Sequence, residues 1–85
     1  MNKYRISFKK STIKELYKLP NKEVARIIKS IGNLAIHPRP TGCKKLKGYM
    51  NLWRIKSGNY RIIYSIEDLI LVVEILEIVD RKDAY

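Results

Sequence analysis

The run from Arg54 to Tyr64, RIKSGNYRIIY, decides how this chain folds. It reads as two short strands joined by a Ser57-Gly58-Asn59 turn. Successive side chains of a strand point to opposite faces of the sheet. Leu52 to Lys56 then sets Trp53 and Ile55 on one face and Arg54 and Lys56 on the other. Asn59 to Ile66 sets Tyr60, Ile62, Tyr64 and Ile66 on the apolar face, while Arg61 points the opposite way with Ile63. The hairpin therefore packs one face into a core and turns three cations, Arg54, Lys56 and Arg61, with no acid among them, to the second. Trp53, Tyr60 and Tyr64 read as core residues rather than as platforms for stacking.

On the N-terminal side, Tyr4, Ile6 and Phe8 alternate with Arg5, Ser7 and Lys9, the period-two pattern of a strand with one buried face. Thr12 with Glu15 three residues on matches a capping box, and Ile13, Leu16 and Tyr17 follow at helical spacing. This first helix ends near Leu19-Pro20. Asn21 suits the N-cap of a second helix, with Glu23 at the positive end of its dipole. Val24, Ile27, Ile28, Ile31 and Leu34 form its apolar stripe, over about Lys22 to Ile36. His37 reads as a residue of the helix end. Prolines 38 and 40 and glycines 42 and 48 open a loop that carries Lys44, Lys45 and Lys47, a basic rim beside the hairpin. Beyond the hairpin, Glu67-Asp68 makes a turn. Leu69 to Val79 is almost continuously apolar, as expected of a central strand, with Glu74 and Glu77 left without evident partners. The order β-α-α-β-β-β predicts an α+β fold of one domain over residues 1–85. An N-terminal strand and a helical hairpin precede a three-stranded antiparallel meander, and the helices cover one face of a mostly antiparallel sheet.

Eighty-five residues suit one domain with a modest core. No apolar run approaches the ~20 residues that span a bilayer, and MNKYRISFKK lacks the apolar stretch of a secretion signal. The one cysteine, Cys43, excludes an internal disulfide and reads as a reduced cytosolic thiol, which places the chain in the cytoplasm. The formal net charge is +10, and it is unevenly placed. Residues 1–61 hold sixteen of the eighteen Lys and Arg with Glu15 and Glu23 as their acids; residues 62–85 hold Arg81 and Lys82 against six acids. Solubility needs a net charge of only about 2–8 on a small domain, so this excess points to a polyanionic partner bound with strong salt dependence.

With these residues in view, KKLKGYMNLWRIKSGNYRIIY resembles the central block of the RelE/ParE toxin superfamily of bacterial type II toxin–antitoxin systems. YRISFKKSTIKELYKLP matches that family's opening strand and first helix, and DRKDAY its terminal segment. The likeness runs through nearly the whole chain in order. Two departures stand out: Asp80 occupies the place where many members have His, and no long C-terminal helix follows. The resemblance implies a toxin that inhibits translation by cleaving mRNA in the ribosomal A site, or, on the ParE branch, one that inhibits DNA gyrase without nuclease chemistry. It also implies an acidic antitoxin as partner, and contacts to mRNA and rRNA rather than to a membrane.

RNA cleavage without a metal uses the 2′-hydroxyl as nucleophile. It requires a proton acceptor, stabilisation of charge on phosphorus, and a proton for the leaving oxygen. No Asp/Glu cluster suggests a metal, and no cofactor is expected. Arg61 suits the phosphorane charge and Arg54 the holding of the phosphodiester, because guanidinium forks match phosphate oxygens. Lys56, beside two arginines, is the candidate proton acceptor, since like charges favour its neutral form. Lys44, Lys45 and Lys47 would extend phosphate binding. The resemblance alone adds Arg81 and Tyr85 to the active site. A nucleic-acid-binding module without chemistry is the third reading; it predicts salt-dependent RNA affinity and no toxicity.

Overall fold

The structure, a computed structural model, describes residues 3–83. It comprises β1 (Arg5–Phe8), α1 (Lys10–Tyr17), α2 (Asn21–Leu34), β2 (Lys44–Lys45), β3 (Trp53–Ser57), β4 (Tyr60–Glu67), β5 (Val72–Asp80) and a single 3-10 turn (Arg81–Asp83). The five strands form one sheet in the order β1-β5-β4-β3-β2. The expected meander is β3-β4-β5, antiparallel throughout. β1 pairs in parallel with β5, so the helical hairpin is the crossover that carries the chain between them. The two-residue β2 falls in a segment whose glycines and prolines read as loop; it pairs Lys44 with Arg54 and Lys45 with Trp53.

Both helices cover one face, and the core lies beneath them. Ile27, Ile31 and Leu34 of α2 and Leu16 of α1 pack on Ile55, Ile62, Tyr64, Ile66, Val73, Ile75 and Ile78. Ile6, Phe8, Trp53 and Tyr60 line the margin of this cluster, as their alternation predicts. The Tyr64 ring is wholly buried, and its hydroxyl donates to the Pro38 carbonyl at 2.7 Å, pinning the loop after α2 to the sheet. Burial, with Cys43 beside it, pushes the Tyr64 phenol above the ordinary tyrosine range. His37 stands just past α2, and its N–H donates to the Asn33 carbonyl.

Four expectations are corrected. Leu69 and Ile70 do not belong to β5; they lie exposed in the turn between Glu67 and Val72, which closes with Leu71 at φ 53°. Ile13, Tyr17 and Ile28, counted on the apolar stripes, are exposed. α2 begins at Asn21 itself, with Pro20 at the N-cap, because proline's fixed φ suits the edge of a helix. Thr12 is not the head of a capping box. α1 begins at Lys10, and Thr12 faces inward, 1% exposed, where its hydroxyl donates to the Leu76 carbonyl at 2.6 Å.

That last bond serves an irregularity in β5. The β4–β5 register pairs Ile63 with Glu77 and Tyr64 with Ile75, leaving Leu76 as an extra residue, a β-bulge. A bulge leaves backbone groups outside the ladder, and buried ones must find partners. Lys9 N–H donates to the Ile75 carbonyl at 3.1 Å, and Thr12 Oγ1 takes the next. The start of α1 thus satisfies the bulge.

At the opposite end of the sheet, Asp68 accepts hydrogen bonds from Arg39 at 2.9 Å and from the Tyr4 hydroxyl at 2.6 Å. Arg39, then Tyr4, holds its carboxyl below the usual carboxylate range. A depressed folded pKa contributes stability that is present above the unfolded value and is lost as pH falls through the folded one. Two outcomes follow. Thr12→Val should lower the unfolding free energy in urea titrations by about 1–3 kcal/mol, the cost of a buried carbonyl without a donor. Asp68→Asn should leave a smaller fall in stability below about pH 4 than the parent shows, read from thermal midpoints across an acid pH series.

Candidate nucleic-acid interface

Residues directly opposite each other in antiparallel strands share a face, with Cβ atoms about 5 Å apart. The register therefore writes two rows across the uncovered face. One runs Lys44, Arg54, Ile63, Glu77; the next runs Lys56, Arg61, Val79. The three cations expected on this face are brought together there. The hairpin turn that spaces the rows is Gly58-Asn59, with Gly58 at φ 60° in the first turn position, where glycine suits a two-residue hairpin.

Arg61 is the centre of the cluster. It is 8% exposed although it stands on the uncovered face. Burial, then the charges of Arg54 and Arg81, lowers its pKa from the ordinary arginine value. Arg81 thus lies within electrostatic reach of Arg61, and the backbone explains how. Its N–H donates to the Asn59 carbonyl at 2.7 Å, which ties the terminal 3-10 turn to the hairpin turn. Asp80 accepts from the Lys82 N–H at 3.0 Å and so caps that turn. Its pairing with Tyr60 sets Asp80 on the core side of β5.

The basic rim divides. Lys44 stands in the Arg54 row, whereas Lys45, paired with Trp53, belongs to the other side of the sheet. The Lys45 ammonium lies 5.9 Å from the centre of the Trp53 ring, and the Arg39 guanidinium 5.0 Å from it. Lys47 is exposed in the loop after β2. A groove of about 460 Å³ opens beside β3, lined by Lys44, Arg54 and Lys56 and, across from them, by Ser30 and Asn33 of α2. Tyr85, expected in the site, lies outside the described residues.

One residue of this face escaped the sequence reading. In a regular strand Glu74 and Glu77, three apart, point to opposite faces. The bulge at Leu76 shifts the phase, so both stand on the uncovered face, Glu74 opposite Ser65 and Glu77 opposite Ile63. The expectation of a face without acids holds for β3 and for β4 as far as Ser65, and fails at Glu67 on the end of β4 and on β5. The signal was present in the spacing of the core residues Val73, Ile75 and Ile78, which steps by two and then by three.

A mixed sheet carries two helices on one face and a guanidinium cluster on the other, in a chain of net charge +10. The model of the family described as ParE toxin of type II toxin–antitoxin system, parDE, matches residues 6–85. The chain is 33% identical to Toxin RelE3 of Methanocaldococcus jannaschii, covering 95% of this chain and 94% of that one. It is 28% identical to Toxin RelG of Mycobacterium tuberculosis over 96% of this chain and 95% of that one. The fold superposes with a TM-score of 0.85 on a chain of the crystal structure of the archaeal RelE–RelB complex from Pyrococcus horikoshii, at 31% identity, over 96% of this chain and 99% of that one. The chain belongs to the RelE/ParE toxin family of type II toxin–antitoxin systems. No helix among the described residues is long and apolar enough to cross a membrane.

The cluster carries an outcome of its own. A polyanion such as heparin should raise the thermal midpoint at low ionic strength by relieving repulsion among Arg54, Arg61 and Arg81, and several hundred millimolar salt should abolish the rise.

Proposed function

We propose that this toxin is a ribosome-dependent endoribonuclease that cuts mRNA in the A site without a metal. The observation that supports this reading is the convergence of Arg54 and Arg81 on a largely buried Arg61, with Lys56 directly opposite it. A fixed guanidinium in a poorly hydrated setting, as at Arg61, stabilises a pentacovalent phosphorus without having to move. Arg54 holds the phosphodiester, Arg61 and Arg81 take the developing charge, and Lys56 is an exposed amine in place to move a proton. Tyr85 completes the site by the family likeness, and Lys44 and Lys47 extend phosphate contacts to flanking nucleotides. Lys45 lies on the Trp53 side, where it suits rRNA better than the scissile strand. The reaction takes place where ribosomes are, in the cytoplasm.

Several relatives are crystallised with RelB antitoxins, among them the Pyrococcus chain. By the same logic this chain is held by an acidic antitoxin, partly disordered when free, that folds as it neutralises the basic surface.

The experiment adds purified protein to a reconstituted translation reaction and maps mRNA 5′ ends by primer extension. New ends within A-site codons are expected, absent without ribosomes. Arg61→Ala should reduce their rate of appearance by about 10²–10³-fold, the typical loss for one transition-state donor. Intact mRNA together with growth arrest and a DNA-damage response would replace this reading with gyrase inhibition, the activity on the other branch of the family.

A further inference from the structure

Cleavage through the 2′-hydroxyl needs a proton acceptor, and the cations of the face are poor ones. Arginine stays protonated at any working pH, and a lysine must first lose its proton. The described acids and the one histidine are mostly elsewhere. His37 follows α2 beside Pro38, whose carbonyl is bound by Tyr64 beneath the helices. Asp80 lies on the core side of β5 and already accepts a backbone N–H. Glu67 and Asp68 lie at the far turn, where Asn51 and Arg39 bind them. Glu74 is level with Ser65, beyond Ile63 from Arg61. Glu77 remains. It is exposed, it stands in the Arg54 row, and it flanks Arg61 on the side opposite Lys56.

We propose that Glu77 is the base of the site, held on the cationic face by the bulge at Leu76. This rests on the nuclease reading. β5 and β3 lie two strand spacings apart, roughly 10 Å, with β4 and Arg61 between them. A phosphodiester seated on Arg61 has the Glu77 carboxylate on one side and the Lys56 ammonium on the other. The carboxylate takes the proton from the 2′-oxygen, whose electron pair forms the new bond to phosphorus. The bond from phosphorus to the 5′-oxygen breaks, and that oxygen takes a proton from the Lys56 ammonium. The products are a 2′,3′-cyclic phosphate and a 5′-hydroxyl, and solvent restores both side chains. Lys56 thereby becomes the acid of the pair.

A carboxylate in an anion-binding site leaves a signature that a merely structural residue does not. Removing its charge should strengthen RNA binding while slowing chemistry. The test measures single-turnover cleavage of ribosome-bound mRNA at saturating complex, and separately the affinity for a short RNA by fluorescence anisotropy, for the parent, Glu77→Gln and Glu77→Asp. Glu77→Gln should cut the rate by about 10²-fold or more, with affinity equal or tighter and an unchanged circular dichroism spectrum. Glu77→Asp should recover part of the rate. A Glu77→Gln rate within about threefold of a cleaving parent overturns the assignment of Glu77 alone. A parent that cleaves no mRNA overturns the nuclease reading, and this assignment with it.

Discussion

One hydrogen bond, from Thr12 on α1 to the Leu76 carbonyl on β5, sets which residues of the last strand meet the solvent. Without the bulge it satisfies, a strand that buries Val73 and Ile75 would go on to bury Glu77 and expose Ile78. A one-residue shift of phase exchanges the two faces of a strand. Here the shift occurs in mid-strand, so a single chain segment keeps its apolar residues inward at both ends and presents two glutamates on the same side. The helix that packs on the sheet and the residues presented on the opposite face are joined through this point.

Much of the fold was legible because the two periods in the chain are clean. Tyr60, Ile62, Tyr64 and Ile66 alternate without a break and bury their face as expected; only Tyr60 is less than fully enclosed. The α2 stripe placed Ile27, Ile31 and Leu34 correctly. What was not legible depends on long-range pairing. Nothing local marks Lys44–Lys45 as strand, since β2 exists only because β3 offers an edge. Thr12 and Glu15 fit a capping box by spacing, yet the Thr12 hydroxyl meets a carbonyl 64 residues away. Leu69 and Ile70 look like core by composition and stand in solvent, because the chain must turn between Glu67 and Val72. Arg54, Lys56 and Arg61 could be gathered from alternation alone, whereas Arg81 needed the Asn59 carbonyl, a contact that spacing does not foretell.

The chain invests its charge in a way that works against compactness. Burial of Arg61, with Arg54 and Arg81 near it, opposes its charged form and lowers its pKa from the ordinary arginine value. A fold with a modest core tolerates this only where the backbone is firmly held. The two-residue hairpin turn, the Asn59 to Arg81 bond and the Asp80 cap hold it at this end of the sheet. At the other end, Tyr4, Arg39 and Asp68 close the gap between the first strand, the loop after α2 and the β4–β5 turn.

The shortness of β2 has a consequence for how this toxin behaves in solution. Its two residues cover Trp53 and Arg54, so among the described residues no strand pairs outside Ile55, Lys56 and Ser57, and of these three Lys56 is the exposed one. Open edges invite strand pairing between molecules, and a lysine at the margin discourages it. Lys56 is the charge that stands at this margin, and it also faces Arg61. Replacing it with an apolar residue would take the charge from this margin, whereas arginine keeps it.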